Sequence, residues 1–161
     1  MKPEQQGHEM SASMVRHHYK MLGLNLAVSL VIMYFVMFTM IYSVAEFFNN
    51  LNMFYMALMM VSPMAMLMLM MMASMYANKK PNLLLHLGFA LLFILAFAGM
   101  RTQALVGDRQ FLRSMIPHHS GAILMCERST VSDPEIASLC GEIIKSQKAE
   151  IAQMKDILAR Q

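Results

Sequence analysis

The sequence predicts an all-α protein with three transmembrane helices followed by an extracytoplasmic antiparallel helical hairpin. Of the 161 residues, 57% are hydrophobic and only 14% are charged. Between residues 22 and 99 the only charged side chains are Glu46, Lys79 and Lys80, whereas the remainder up to residue 161 has the charge content of a soluble domain. The chain therefore divides into a polar N-terminal tail (1–21), a Met-rich transmembrane domain (22–100) and a helical-hairpin domain (101–161).

Three apolar stretches predict the transmembrane helices, at about Leu22–Val44, Met53–Tyr76 and Leu83–Met100. Each is close to or above the roughly 20 residues that cross a bilayer as a helix. The first stretch starts too late and is too long for a signal peptide, and it lacks a small-residue cleavage pattern. We therefore expect it to be a retained helix.

The distribution of Lys and Arg predicts the orientation in the membrane. Basic residues precede the first stretch and occupy positions 79 and 80 between the second and third, whereas the loop 45–52 has none. Because basic loops stay on the cytoplasmic side, the N-terminus is expected inside, although Arg101 mildly opposes this assignment. The expected location is the bacterial cytoplasmic (inner) membrane, with the C-terminal domain periplasmic or extracellular.

Local signals place two helices in the C-terminal domain. Asp108 can cap a helix that runs to about Arg128, and Asp133 with Pro134 at the first helical position begins another that runs to about Arg160,. A hairpin of this size buries little core. Two subunits would complete a four-helix bundle, so a homodimer or higher homo-oligomer is expected. Docking on the membrane helices is the competing way to cover the same apolar face.

The stretch Met115-Ile-Pro-His118-His119 carries the clearest chemistry. Its thioether and two imidazoles lie on one helix face, and Met125 follows two turns later,. This donor set suits copper, and Cu(I) better than Cu(II). A solvated histidine pair is the alternative. Pro117 predicts either a kink beside the site or a boundary between two short helices. If the helix runs straight, this site lies roughly 25 Å beyond the third transmembrane helix.

Weaker candidates for copper ligation are Cys126 and the stretch Met14-Val-Arg-His17-His18, which repeats the Met-x-x-His-His pattern on the inner side. That stretch is either a second copper patch or a juxtamembrane interfacial segment. With the hairpin turn centred near residue 132, Cys126 and Cys140 lie beyond the roughly 7 Å Cα limit for a disulfide. Buried small hydrophobes are the alternative to ligation.

Several spaced elements resemble one known family. They are Phe111-x3-Met115-Ile-Pro-His118-His119-x2-Ala122-Ile-x-Met125, then Asp133-Pro134-Glu135, then Ile144-x2-Gln147-x2-Glu150-Ile151-x2-Met154. This pattern, over about residues 108–160, resembles the copper-associated domain of unknown function 305, including its membrane-anchored members. The resemblance implies a ferritin-like helical bundle and a role in copper binding or resistance. By motif position it implies the metal ligands Met115, His118, His119, Met125 and Met154. Along the hairpin, Met154 falls about 10 Å from the level of Met115.

The second apolar stretch contains a continuous methionine stripe at spacings of three or four: Met53, Met56, Met60, Met64, Met68, Met71 and Met75. Methionine fills irregular helix–helix contacts, and this packing role is one explanation. The other is a ladder of thioethers that passes Cu(I) across or along the bilayer. Four further methionines of the same stretch, at positions 59, 66, 70 and 72, lie off the stripe, which favours packing.

Together these features predict a membrane-anchored copper-binding protein for copper homeostasis or resistance, which captures, buffers or delivers copper outside the cytoplasmic membrane. It is not expected to be an enzyme, because no acid–base pair, nucleophile constellation, phosphate loop or haem motif is present. The alternatives are a Cu(I) transporter or channel subunit and a structural accessory subunit of a membrane complex. Expected partners are the lipid bilayer, further copies of the chain and a copper-handling or membrane-complex protein. Dispersed basic residues give no support for nucleic-acid binding.

Overall fold

The computed structural model describes residues 12–76 and 78–161, and these residues form helices without strands. The all-α prediction is therefore confirmed for the part of the chain that is described. The helices are α1 (Ala12–Val36), α2 (Leu51–Met71), α3 (Lys79–Thr102), α4 (Asp108–Arg128) and α5 (Pro134–Leu158). Two short 3-10 turns, Met37–Met40 and Val44–Glu46, lie in the connection between α1 and α2.

Three helical segments are long and apolar enough to cross a membrane, as the sequence predicts: Ser13–Met40, Leu51–Met71 and Lys79–Thr102. Their boundaries differ from the apolar stretches, because polar residues extend helices without interrupting them. Helix α1 begins at Ala12, ahead of the first apolar stretch, in agreement with the expectation that the polar tail becomes helical near Met14. Helix α3 begins at Lys79 and includes Pro81, which its first turn tolerates because N–H groups there have no intrahelical partner.

Helix α2 packs between α1 and α3. On one side, Leu22 and Leu26 of α1 form a buried cluster with Val61, Ala65 and Leu69 of α2. On the other side the ring of Tyr55 lies against Gly99 of α3, where an added Cβ atom would come within 3.0 Å of the ring. The Tyr55 hydroxyl donates to the carbonyl of Ala104 at 2.8 Å, which fixes the ring. Glycine at position 99 therefore permits the close approach of α2 and α3.

We expect Gly99→Ala to destabilise the protein by roughly 1–2 kcal/mol, since the fixed Tyr55 ring must move to admit the methyl group. Gly88→Ala is the matched control on the same helix, because nothing lies within 4 Å of a Cβ atom there. Alanine has the higher helix propensity, so the control is expected to keep or slightly raise stability. Thermal unfolding in detergent micelles, followed by circular dichroism, measures both. Equal effects would contradict the close approach.

The starts of α4 and α5 are set by different groups. The Asp133 carboxylate accepts hydrogen bonds from the backbone N–H groups of Glu135 and Ile136, at 2.8 and 3.2 Å, and Pro134 is the first residue of α5, as predicted. The predicted cap at Asp108 is wrong, because Gly107 is the N-cap and Asp108 is the first residue of α4. Its carboxylate still lies near the positive end of the helix dipole. Helix α4 continues through Pro117 as one helix.

Helices α4 and α5 pack against each other and against the connection between α1 and α2. Their shared apolar cluster contains Leu112, Ile116, Ile123, Ile151 and Met154, and Phe48 of the connection packs onto it. The backbone turns between α3 and α4, where Gln103 and Leu105 adopt left-handed conformations with φ of 53° and 61°. Of the two alternatives for residues 101–107, a connector and a straight continuation of α3, the structure has the connector, and this turn brings α4 back to α2 and the α1–α2 connection.

Candidate metal centre

Two of the five ligands suggested by the motif line one cavity. His118 and Met125 of α4 border a cavity of about 280 Å³, which also contacts Met37 and Met40 from the 3-10 turn after α1 and Met53 from the first turn of α2. One imidazole and four thioethers thus come from three separate segments of the chain. His118 is exposed, and Met125 is 56% exposed, so a ligand can reach the cavity from solvent.

Small and rigid residues of α4 form the wall of this cavity. Pro117 and Gly121 both line it. A Cβ atom at position 121 would lie 3.5 Å from the backbone carbonyl oxygen of Met40, which is an ordinary van der Waals contact and shows that α4 lies close to the 3-10 turn here. His118 and Gly121 are one turn apart and therefore lie on the same face of α4, which is the face turned toward the methionines.

The donor atoms of the cavity are thioether sulfurs and an imidazole nitrogen, which are soft or borderline ligands,. Among residues 12–76 and 78–161, no group of three or more His, Cys, Asp and Glu side chains is arranged to hold a metal ion. The candidate centre therefore depends on its thioethers, which calcium and magnesium do not favour and which suit Cu(I). Flexible methionine side chains can converge on an ion without moving the backbone. By its donor chemistry, this cavity fits copper as Cu(I).

His119 lies on a different side of α4 from the cavity. Its Nδ1 atom is 3.1 Å from Oε2 of Glu150, but the geometry is that of an electrostatic contact, and this buried atom has no hydrogen-bond partner among the described residues. Burial lowers the pKa of His119, the carboxylate of Glu150 raises it, and His118 lowers it further. The net shift is downward, so the neutral imidazole is favoured.

Met115 and Met154 are directed into the apolar interior. Met154 is a buried member of the cluster between α4 and α5, and the partly buried Met115 packs against the same cluster. The cavity residues at positions 118 and 125 are not part of this cluster. The structure thus separates the five motif residues into two cavity residues, two packing residues and His119 beside Glu150.

A buried polar network fastens α4 beside the cavity. Ser120, which is fully buried, donates from Oγ to Oε2 of Glu46 at 2.5 Å and accepts from the backbone N–H of Tyr42 at 2.6 Å. Lys155 of α5 lies with Nζ 3.7 Å from Oε1 of Glu46. Glu46 is only 9% exposed, and this pairing offsets the cost of its burial. The network ties both C-terminal helices to the connection that supplies Met37 and Met40.

The two cysteines form no disulfide, as the sequence predicts. The thiol of Cys140 interacts with that of Cys126 and, as the main cause, raises the pKa of Cys126. Both thiols are free and half-buried. Neither cysteine lines the cavity.

Sequence reasoning missed Met37 and Met40. Both lie in the first apolar stretch, where methionine has an ordinary packing explanation, and neither has a periodic relation to His118. Met53 begins the methionine stripe of α2. Their position in the sequence was the available signal for a shared site. Met37 and Met40 precede the loop between the first two predicted spans, and Met53 follows it. Met14, His17 and His18 lie near the start of α1, and His17 and His18 border a separate cavity.

Two comparisons with known proteins place the chain in a family. A family model described as Domain of unknown function (DUF305) matches residues 96–158. An uncharacterized protein of Acanthamoeba polyphaga mimivirus is 37% identical to the chain over 118 residues, which are 72% of this chain and 76% of that protein. Because so long a match cannot fit between residue 96 and the C-terminus, the similarity extends into the preceding helices. No solved structure matches the chain.

Proposed function

The chain belongs to the family described as Domain of unknown function (DUF305), and from this premise we propose that it is a membrane-anchored copper-binding protein. It captures, buffers or delivers Cu(I) for copper homeostasis or resistance, without catalysing a reaction. The cavity of His118, Met37, Met40, Met53 and Met125 carries this proposal, because it joins four thioethers and an imidazole in one place. The copper-associated motif of the sequence supports the same ligand chemistry.

The proposed placement puts this cavity on the outer surface of a membrane. The α1–α2 connection, which supplies Met37 and Met40, contains Glu46 and no basic residue, whereas Lys79 and Lys80 lie at the opposite end of the membrane helices. The positive-inside rule then assigns the cavity to the outside. In the proposed cell context this is the outer face of a bacterial cytoplasmic membrane.

We further propose that α4 and α5 form an antiparallel hairpin and that copies of the chain associate. Ion pairing between Glu127 and Lys148, at 2.9 Å, and the contact of His119 with Glu150 support opposite directions for the two helices. Phe48 covers only part of their apolar surface, since Phe111, Ile136 and Leu139 remain about half exposed. A second copy would bury such residues, as apolar surface favours association.

Transport of Cu(I) along α2 is a weaker proposal. The methionine stripe is not enclosed within one chain, because Met71 is 85% exposed and Met60 is 47% exposed. Transport would therefore require neighbouring copies to cover the stripe. No contact among the described residues favours an accessory role in a larger membrane complex.

A Cu(I) titration of the full-length protein in detergent micelles, under anaerobic conditions and against a chromophoric chelator, tests the proposal. Removing a partner that only orients a ligand weakens metal binding about 10–100-fold. Loss of three direct donors in the combined variant Met37→Leu, Met53→Leu and Met125→Leu is therefore expected to weaken binding at this cavity by at least about a hundredfold. Leucine keeps the apolar volume.

The matched control combines Met115→Leu with Met154→Leu, two methionines of the apolar cluster, and is expected to bind copper as the natural protein does. Absence of Cu(I) binding by the natural protein would reject the copper proposal. Equal losses in the two combined variants would reject this cavity as the site.

A further inference from the structure

A second cavity at the other end of the membrane helices also gathers metal-binding side chains. It has a volume of about 550 Å³ and lies between α1 and the C-terminal part of α2. Its lining includes two imidazoles and four thioethers, from His17, His18, Met21, Met68, Met72 and Met75. None of these residues borders the cavity of His118, so the two candidate sites share no ligand.

The chemistry of this second lining favours a soft cation of low charge. Leucine, valine, asparagine and tyrosine complete the wall, and no carboxylate of residues 12–76 or 78–161 borders the cavity. Within this described lining, a hard divalent cation finds no anionic oxygen to compensate its desolvation. Neutral sulfur and imidazole donors suit Cu(I), whose single charge requires less compensation. Methionine at four of the six donor positions lets the ligands adjust to one ion in a cavity of this size.

A backbone contact prepares His18 for ligation. The Nδ1 atom of His18 lies 3.1 Å from the carbonyl oxygen of Met75. A carbonyl oxygen only accepts hydrogen bonds, so this contact places a proton on Nδ1, and the tautomer that it selects has its lone pair on Nε2. Metal-bound histidines commonly use such a contact to fix the tautomer and the ring orientation. The same contact joins α1 to the segment after α2, where Met75 and Met72 supply two thioethers.

From this arrangement we propose a second Cu(I) site, formed by His17, His18, Met21, Met68, Met72 and Met75 at the end of the membrane domain opposite the first cavity. Met53 borders the first cavity and Met72 borders the second. An α-helix that runs from one of these residues to the other is about 28 Å long. This is close to the roughly 30 Å thickness of a bilayer core. The chain therefore presents one soft-metal site near each membrane surface. This inference does not depend on the first site.

A Cu(I) ion and a lipid acyl chain are the two candidate occupants of the second cavity. Met21 is 48% exposed and Met72 is 38% exposed, so an acyl chain could also lie against them. An acyl chain responds to apolar volume and not to sulfur. Replacement of methionine by leucine keeps the volume and removes the donor, and it therefore separates the two occupants.

The test uses the full-length protein in nanodiscs of phosphatidylcholine, titrated anaerobically with Cu(I) against a chromophoric chelator and analysed by X-ray absorption for sulfur and nitrogen ligands. The natural protein is expected to bind two copper ions per chain. The variant Met21→Leu, Met68→Leu and Met72→Leu is expected to lose one of them and to retain the ion at His118. The matched control, Met59→Leu, Met66→Leu and Met70→Leu, changes three methionines of α2 that border neither cavity and is expected to keep both ions.

The results separate the two proposals. If the Met21, Met68 and Met72 variant keeps the full copper content, the second site is overturned, whatever the first site does. If this variant loses one ion while the Met37, Met53 and Met125 variant loses none, the second site stands and the proposed function at His118 falls. A loss of copper in the control variant equal to that in the Met21, Met68 and Met72 variant would overturn the assignment of the second site to these residues. A second variant, His18→Gln, is expected to lower the nitrogen contribution to the copper spectrum, because His17 remains, while leaving the sulfur contribution unchanged.

Discussion

Replacing Ser120 by alanine is expected to destabilise the protein by about 2–3 kcal/mol. The hydroxyl is fully buried, donates to Glu46 at 2.5 Å and accepts from the backbone N–H of Tyr42 at 2.6 Å. Its loss leaves a buried carboxylate oxygen without its hydrogen-bond donor and a backbone N–H without an acceptor. Lys155, at 3.7 Å, partly compensates the charge but is too distant to replace the hydrogen bond,.

Ser114→Ala is the matched control in the same helix. Ser114 is also buried, but its hydroxyl donates to the carbonyl of Gln110 one turn earlier in α4, so its removal orphans no buried charge. We expect a loss below about 1 kcal/mol, offset in part by the better helix propensity of alanine. Urea unfolding in micelles, followed by circular dichroism, compares the two variants. A cost at Ser120 no larger than the cost at Ser114 would show that the Glu46 network does not hold α4 in place.

His118→Ala and His119→Ala are expected to have opposite principal effects. His118 borders the cavity with four methionines, so its removal should weaken Cu(I) binding at this site by at least about tenfold, or 1.4 kcal/mol. His119 lies beside Glu150 and borders no part of that cavity. Its removal should change copper affinity by less than about threefold, while the loss of a largely buried ring destabilises the protein by roughly 1–2 kcal/mol.

Chelator competition and thermal unfolding, measured on the same preparations, separate affinity from stability. A His119→Ala protein that melts as the natural protein does but has lost copper binding would contradict the division of roles. The adjacent positions make the comparison well matched, because both variants remove the same side chain from the same turn of α4.

The sequence predicted those elements that depend on local signals. Asp133 followed by Pro134 specified the start of α5, and runs of apolar residues specified three membrane-length helices. The sequence left open whether residues 101–107 form a short connector or continue α3, because Gln103 and Leu105 adopt the left-handed conformation that glycine normally occupies,. The sequence has no glycine at either position to indicate the turn. The position of α4 therefore depends on tertiary contacts that the local sequence does not display.

The candidate site shows the same division between local and distant information. His118 and Met125 were predicted because their spacing on one helix is visible in the sequence. Met37 and Met40 were not predicted, since about eighty residues separate them from His118, and only the docking of α4 on the α1–α2 connection brings them together. Met115 and Met154 match the motif, but both pack in the apolar cluster. A motif position does not reveal whether a methionine faces a cavity or an apolar core.

The contacts of Glu46 and Phe48 also bear on how this protein can be divided. The region matched by the family model, residues 96–158, includes α4 and α5 but neither of these two residues. Separated from the preceding helices, it would lose the acidic partner of Ser120 and Lys155 and the aromatic cover of its apolar cluster. A soluble fragment of this region therefore lacks contacts that stabilise the domain in the full chain. Fusion of the fragment to an unrelated membrane anchor would supply only one of the two surfaces of this interface.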